Sequence, residues 1–381
     1  MDALEKLRLL SPLTCFEPAE EVNAGGTRSL PVAVDELAGC IHHAVMPGGR
    51  RIALLKTLLT SACERDCNYC AFRQGRDFRR ATFSPDELAR LFMQLYQKGL
   101  AEGIFLSSGV AGGGPHTEDR LIATAELLRR RYGFQGYIHL KIMPGAERDQ
   151  IAAAMRLANR VSVNLEAPNT RWLQLLAPHK VFTEELLQRL RWIEELRREL
   201  PGHQPSSTTQ FVVGAAGESD LELLTTTEFL HRQVGLARAY FVAFTPIPGT
   251  PLENHPPASP LREHRLYQSS FLLRDYGFTV EELPFDAGGN LPLEHDPKWV
   301  WASRELLHAP VEINTADRLT LLRVPGIGPK GAARLLQARR HGRLRELTDL
   351  RKLGIAADRA APFILLDGHR PSYQPPLWSA V

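Results

Sequence analysis

The sequence predicts an α/β protein: a partial (β/α)6 barrel followed by a small all-α module. Three observations carry this. From residue 51, six short β-rich apolar runs alternate with longer helical patterns, the rhythm of parallel βα units. Directly after the first run come three cysteines, Cys63, Cys67 and Cys70, at the spacing CxxxCxxC. Near the end, an apolar stretch runs into Pro325-Gly326-Ile327-Gly328 and on into another helical pattern. At 381 residues the chain is long enough for one large domain and a small one.

The six runs are Ile52–Leu59, Gly103–Ser107, Tyr137–Ile142, Arg160–Leu165, Thr208–Val213 and Ala239–Phe244. Between them, Ser84-Pro85-Asp86-Glu87 is a capping box with proline at the first helical position; it predicts a helix to about Lys98, stopped by Gly99. A second helix is predicted over 117–132. Its closing Arg129-Arg130-Arg131 suits a helix C-terminus and needs no nucleic-acid reading. Further helices are expected over 183–200, from the box Ser219-Asp220-Leu221-Glu222 to about Gln233, and over 261–276. Six units are too few for a closed eight-stranded barrel, and chemistry in such barrels gathers at the C-terminal strand ends. The expected domains are a leader over 1–50, a core over 51–285, an irregular connecting segment over 286–311, a helical module over 312–367 and a loose proline-rich tail over 368–381.

Composition excludes several classes. Hydrophobic residues at 44% and charged residues at 23% are ordinary for a globular protein. Met1-Asp2-Ala3-Leu4-Glu5-Lys6 lacks the apolar run of a signal peptide, and no stretch approaches the ~18 apolar residues of a membrane helix. Five cysteines, three of them clustered, argue against a disulfide framework and fit a reducing cytoplasm. Cys15 and Cys40 are expected to be incidental or to lie near the cluster.

Thiolates at CxxxCxxC spacing suit an iron–sulfur cluster wrapped by one loop. Structural zinc asks for four ligands, usually as two pairs, and no second pair flanks this loop. A [4Fe–4S] cube held by three thiolates keeps one iron open to an outside ligand. The motif, with the aromatic Tyr69 before its last cysteine, resembles the signature of radical S-adenosylmethionine (SAM) enzymes, and the resemblance covers roughly residues 51–285. It implies that the open iron binds the amino and carboxylate groups of SAM, and that one electron cleaves SAM to methionine and a 5′-deoxyadenosyl radical.

The strand ends extend the resemblance. Ser107-Ser108-Gly109-Val110 sits where such enzymes have a GGE-like motif for the SAM amino group, although this chain has no acid at the third position. Residues two apart on a strand share a face, so Asn164 and Glu166 point the same way. Their spacing is similar to the ribose-binding Asn-x-Asp of biotin synthase. Lys141, on one face with His139, is a candidate partner for the SAM carboxylate, and Val212 and Gly214 lie on the strand that cradles adenine in the family. Thr245-Pro246-Ile247-Pro248-Gly249 is a candidate frame for the substrate mouth, and Arg76, Arg79 and Arg80 are candidate phosphate contacts.

The terminal module resembles the helix-hairpin-helix motif, through Pro325, Gly326, Ile327 and Gly328, with Lys330 and Arg334 on the following helix. Glycines leave backbone N–H groups free for phosphates, and a helix N-terminus adds its dipole. A weaker second hairpin lies at Leu353-Gly354-Ile355-Ala356. From Glu312 onward twelve Lys and Arg face six Asp and Glu, a net +6, while the whole chain carries only +3. This concentration is an electrostatic footprint for nucleic acid. The full layout is similar to that of the putative DNA modification/repair radical SAM proteins, a biotin synthase-related family whose genes are often found beside one for a uracil-DNA glycosylase-like protein. The resemblance implies an enzyme acting on DNA, with a low-potential electron donor such as flavodoxin or ferredoxin. Modification of RNA, or a DNA-binding redox sensor without SAM turnover, are the alternatives. The catalytic residues that would act on the final substrate are not identified by the sequence.

Overall fold

The computed structural model describes residues 1–11, 40–45, 51–202 and 204–373. Cys15 and most of the expected leader lie outside the described residues, as does most of the expected tail. The described residues fall into two compact units: Met1–Glu218 with Phe229–Glu263, and Ser219–Glu228 with His264–Val381.

In the first unit, α1 (Ala3–Leu10) precedes β1 (Ile41–Val45) and β2 (Arg51–Leu58). The Ser84 capping box forms as expected: the Ser84 hydroxyl accepts from Glu87 N–H, and α2 (Pro85–Gln97) follows. Leu88, Leu91, Phe92 and Leu95 fall on one stripe of α2 and are buried, each worth about 1.5–3 kcal/mol. β3 (Gly103–Ser107) is buried along its whole length, as a strand covered on both faces requires. Next come α3 (Gly114–Glu126) with a π-turn over Leu127–Arg131, β4 (Tyr137–Lys141), α4 (Arg148–Leu157), β5 (Arg160–Ser162), α5 (Thr170–Leu176), a π-turn over Phe182–Leu187, α6 (Gln188–Glu199) and β6 (Ser206–Val213). Then α7 (Asp220–Gln233), β7 (Arg238–Ala243) and α8 (Pro260–Asp275) complete the series. The unit boundaries fall just before α7, within α7 and within α8.

The strands lie in chain order, β1 to β7, in one sheet. β2 to β7 are parallel, the six expected strands of a partial (β/α)6 barrel. β1 was not expected; it adds an antiparallel edge, with Ile41 opposite Leu55, and its polar His42-His43 centre hides the strand pattern. α4 and α5 were also unanticipated. Glu147, rather than a Ser, Thr, Asp or Asn, caps α4, so its start signal is weak.

β5 ends three residues earlier than expected, and the cause bears on the site. The Thr209 hydroxyl donates to Val163 O at 2.7 Å and accepts Leu165 N–H at 3.2 Å, so a side chain replaces the backbone ladder there. The ladder resumes at Glu166, whose N–H donates to Gln210 O at 2.9 Å and whose O accepts Val212 N–H at 2.8 Å.

In the second unit, α9 (Pro297–Glu305) occupies part of the segment expected to be irregular. Asp296 caps it and Pro297 takes the first position, a helix-start pattern within that segment. β8 (Val311–Glu312), α10 (Arg318–Arg323), α11 (Pro329–Ala338), α12 (Leu347–Lys352), α13 (Ala357–Ala360) and β9 (Ile364–Leu365) follow, with β8 and β9 paired in parallel. Ala302 and Leu306 of the connecting segment share a core with Leu321, Leu335, Leu350 and Phe363. Trp299 stands edge-on to Phe363 at 4.9 Å. Residues 297–306 thus pack as part of the terminal module rather than as a linker to it.

Candidate functional site

The loop after β2 is fixed from several sides. Glu64 N–H donates to Val110 O at 2.8 Å, Asn68 N–H to Leu176 O at 2.7 Å and Gln74 N–H to Arg65 O at 2.8 Å. Arg80 donates to the carbonyls of Ser61, Phe72, Arg73 and Arg76. Arg76 donates to Ala71 O and Pro248 O. These two arginines therefore shape the cysteine loop, against the expectation of phosphate contacts; Arg79 stands exposed.

Cys63, Cys67 and Cys70 line one cavity. Cys63 Sγ accepts Val110 N–H and Cys70 Sγ accepts Phe72 N–H, each at 3.4 Å. Burial pushes the Cys67 and Cys70 thiols up; the Lys180 cation draws Cys67 back in part. Thiols in this state become ligands when a bound cation makes deprotonation favourable. Among the described residues no three His, Cys, Asp or Glu side chains converge on a single ion. A cube takes one thiolate per iron and asks for less convergence, so three thiols on one cavity wall, with N–H groups aimed at two sulfurs, fit a cluster. Cys40 is buried, hydrogen-bonds Ser11 and does not line this cavity.

The β3 end packs on the cysteine loop. Gly109 N–H donates to Thr60 O at 2.8 Å, and a Cβ on Gly109 would stand 2.5 Å from Ala62 O, so only glycine permits this approach. Ser108 and Gly109 line the cavity, whereas Ser107 does not: strand alternation turns it away, with its hydroxyl buried.

Asn164 and Glu166 both line the cavity, and Lys141 lines it too, buried rather than solvated. The sequence missed Lys180, whose Nζ stands 3.1 Å from Glu166 Oε1. Glu166 Oε2 is buried with no hydrogen-bond partner among the described residues. Glu166 also has φ 66, a left-handed conformation costing a non-glycine residue about 1–2 kcal/mol. Strain of this kind concentrates where a side chain must be aimed. Lys180 follows Pro178-His179 with no pattern to flag it. Gln210, also missed, had a signal: Thr208, Gln210 and Val212 alternate along β6 and all reach cavities on the interior side.

A second cavity shares Tyr69, Cys70, Phe72 and Gln210 with the first. Val212, Val242, Phe244, Thr245 and Ile247 make it mainly apolar. Burial, and then the Glu166 carboxylate, hold the Tyr69 phenol well above its usual pKa. Gly214 lines neither cavity. At φ 84, with Ala258 Cβ 2.7 Å from where its own Cβ would be, it serves the packing of the segment before α8, a correction to its expected place against a ligand.

In the second unit, α10 and α11 flank the turn Val324–Gly328. Pro325 and Ile327 are buried, and Gly326 has φ 84 with Ala356 O 2.5 Å from its would-be Cβ. Gly328 caps α11 at φ -105, a value open to any residue, so the turn itself demands glycine only at 326. Lys330 is exposed. Arg334 is exposed and donates one N–H to Leu353 O at 2.8 Å, tying α11 to the end of α12. Buried Lys298 donates to Ile327 O at 2.7 Å and lies over the Tyr276 ring, and burial lowers its pKa to about 7.

Residues 57–230 match the Radical SAM superfamily. Solved structures similar to this chain include methylornithine synthase (PylB), at 16% identity and TM-score 0.47, covering 59% of this chain and 63% of that one. HydG, the FeFe-hydrogenase maturase from Carboxydothermus hydrogenoformans, is similar at 14% identity and TM-score 0.46, over 58% and 51%. TsrM, a radical SAM methyltransferase from Kitasatospora setae, is similar at 13% identity and TM-score 0.45, over 87% and 67%. The chain spans less than two-thirds of the length of the first two. No helix among the described residues is long and apolar enough to cross a membrane.

Proposed function

We propose that residues 57–230, which match the Radical SAM superfamily, form an enzyme domain that uses a [4Fe–4S] cluster and SAM, and that this chain cleaves SAM reductively to modify or repair DNA. The carrying observation is the single cavity wall on which Cys63, Cys67 and Cys70 face Asn164, Glu166 and Lys180. Bound together there, cluster and SAM supply one-electron cleavage of the cosubstrate to methionine and a 5′-deoxyadenosyl radical. The chain's residues do the rest. The three thiolates hold the cluster, and the N–H groups of Val110 and Phe72 stabilise charge on two of the sulfurs. Asn164 and Glu166 accept the ribose hydroxyls, the strained Glu166 backbone aiming its carboxylate into the cavity. The apolar second cavity, with Tyr69 and Val212 on its wall, takes the adenine. Ser108 and Gly109 bring backbone groups to the amino end.

The DNA part rests on the second unit, read as a helix-hairpin-helix module. Its support is the left-handed Gly326 turn leading into the α11 N-terminus, with Lys330 exposed beside it and a net +6 from Glu312 onward. Contacts of this kind go to phosphates and carry no sequence information. A base within a duplex is out of reach of a radical formed in a cavity, so the target nucleotide is flipped or damaged. The test is mass spectrometry of DNA nucleosides from cells with and without the protein. A nucleoside that changes with the wild type, and not with a Cys67→Ala protein, supports the reading; identical DNA, with a changed nucleoside in RNA instead, overturns it.

A further inference from the structure

Resting on the reading that the second unit grips duplex phosphates, we propose that Lys298 is a positioning residue of that grip. From behind the turn it holds the Ile327–Gly328 peptide so that the Gly328 N–H faces the phosphate, and it supplies a buried positive charge that the phosphate compensates.

Lys298 stands outside the turn it serves. Asp296-Pro297-Lys298 opens α9, with Asp296 as the cap and Lys298 in the first turn. The residue is 9% exposed, and its ammonium donates to Ile327 O at 2.7 Å. That ammonium lies 4.6 Å from the centre of the Tyr276 ring, whose hydroxyl stands 3.2 Å from where a Gly328 Cβ would be. The carbonyl it grips belongs to the same peptide as the Gly328 N–H. In a trans peptide these two groups point in opposite directions, and no peptide among the described residues is cis. Holding the carbonyl inward therefore holds the N–H outward. Among the described residues the Gly328 N–H has no acceptor, and Gly328 is partly exposed. A cation on the carbonyl also polarises the peptide and strengthens the N–H as a donor.

The charge itself points to an anion. Among the described residues Lys298 pairs with no carboxylate; its acceptor is the Ile327 carbonyl. Asp296, the acid that acts on it, is taken by Arg359. Arg359 and Arg323 add positive charge at the same place. A buried cation without a counter-charge is unfavourable, and a phosphate at the Gly328 N–H relieves it. These surroundings also make the charge responsive. Burial lowers the Lys298 pKa to about 7, with Asp296 opposing and Arg359 and Arg323 adding to the fall. As pH rises through that value the ammonium becomes a neutral amine, and the grip loses its charge. Tyr276, which also faces it, is pushed up by burial and stays neutral. Carboxylates and guanidiniums ordinarily keep their charge between about pH 6 and 8, so Lys298 is the group that changes. A bound phosphate holds the proton on Lys298, and binding near neutral pH takes up a proton.

The experiment is fluorescence anisotropy of a labelled blunt duplex of arbitrary sequence, titrated with the full chain at fixed low salt from about pH 6 to about pH 8. Three proteins are compared, with thermal unfolding as the check on folding. They are the wild type, Lys298→Met, which is neutral and of similar length, and Lys298→Arg, which keeps its charge throughout. Wild-type affinity is expected to fall as pH rises through about 7. Lys298→Met is expected to bind about tenfold more weakly at the acid end, the scale of a charge-assisted hydrogen bond, and to lack the fall. Lys298→Arg is expected to hold the acid-end affinity across the range. Equal affinities in wild type and Lys298→Met, or profiles that fall in parallel, would overturn the inference and leave the DNA reading standing. Should Lys298→Met unfold, Lys298→Arg decides: a profile that follows the wild type would overturn the inference. A wild type that does not bind the duplex at any pH would overturn both.

Discussion

Glu118 offers a test of the interior that does not depend on any cofactor. It lies on α3, fully buried, and accepts Met143 N–H at 2.8 Å through one oxygen, while Oε1 has no partner. Burial raises its pKa to about 8, with the Met143 N–H pulling the other way. The folded carboxyl therefore keeps its proton between the unfolded value, about 4.3, and about 8. Across that window the unfolded chain has released a proton that the folded one holds. The stabilisation is full below about pH 4.3 and is lost as pH rises through 8, at about 1.4 kcal/mol per pH unit. At pH 7 the loss is roughly 3–4 kcal/mol, an order of magnitude rather than a constant. Glu118→Gln is neutral throughout and keeps the acceptor for Met143. Urea unfolding of the cluster-free protein from pH 5 to 8 reads the difference, because every other titrating group cancels between the two proteins. The variant is expected to match the wild type near pH 5 and to be the more stable by pH 8. Parallel curves would show that Glu118 is ionised in the fold and refute the reasoning.

Two substitutions test close backbone approaches. Gly109→Ala places a Cβ 2.5 Å from Ala62 O, displacing the cysteine loop, and is expected to lower iron content after reconstitution while the far-ultraviolet circular dichroism stays unchanged; full iron content would show that the loop tolerates the shift. In the second unit, Gly326→Val meets both a left-handed φ and Ala356 O, whereas Gly328→Ala meets only the Tyr276 hydroxyl at 3.2 Å. Duplex binding by salt titration is expected to collapse for Gly326→Val and to weaken little for Gly328→Ala, with a slope of log K against log salt of about −0.9 per phosphate neutralised. Equal loss in both, or a flat salt dependence, would count against phosphate binding at this turn.

The legible parts of this chain were those in which a local rule and the tertiary structure agree. The buried parallel strands read as apolar runs, and Ser84 and Ser219 announced their helices through capping boxes. Asn164 and Glu166 line one cavity although β5 ends at Ser162 and Glu166 takes a left-handed φ. What was not legible depends on contacts distant in sequence. Lys180 faces the cysteines only because α5 returns the chain to the loop of Asp66. Arg80 and Arg334 read as free cations, yet the fold uses them as donors to backbone carbonyls. Gly214 resembled a ligand cradle and proved to be a packing position. The glycine essential to the second-unit turn is Gly326, since only its φ is left-handed there.

The most direct test of the central claim is anaerobic reconstitution followed by reduction in the presence of SAM. The three-cysteine cavity predicts about four irons per chain in the wild type, a cluster lost in Cys67→Ala, and 5′-deoxyadenosine formed by the wild type alone. A wild type that takes up zinc and refuses iron, or that carries the cluster and leaves SAM intact, would contradict it.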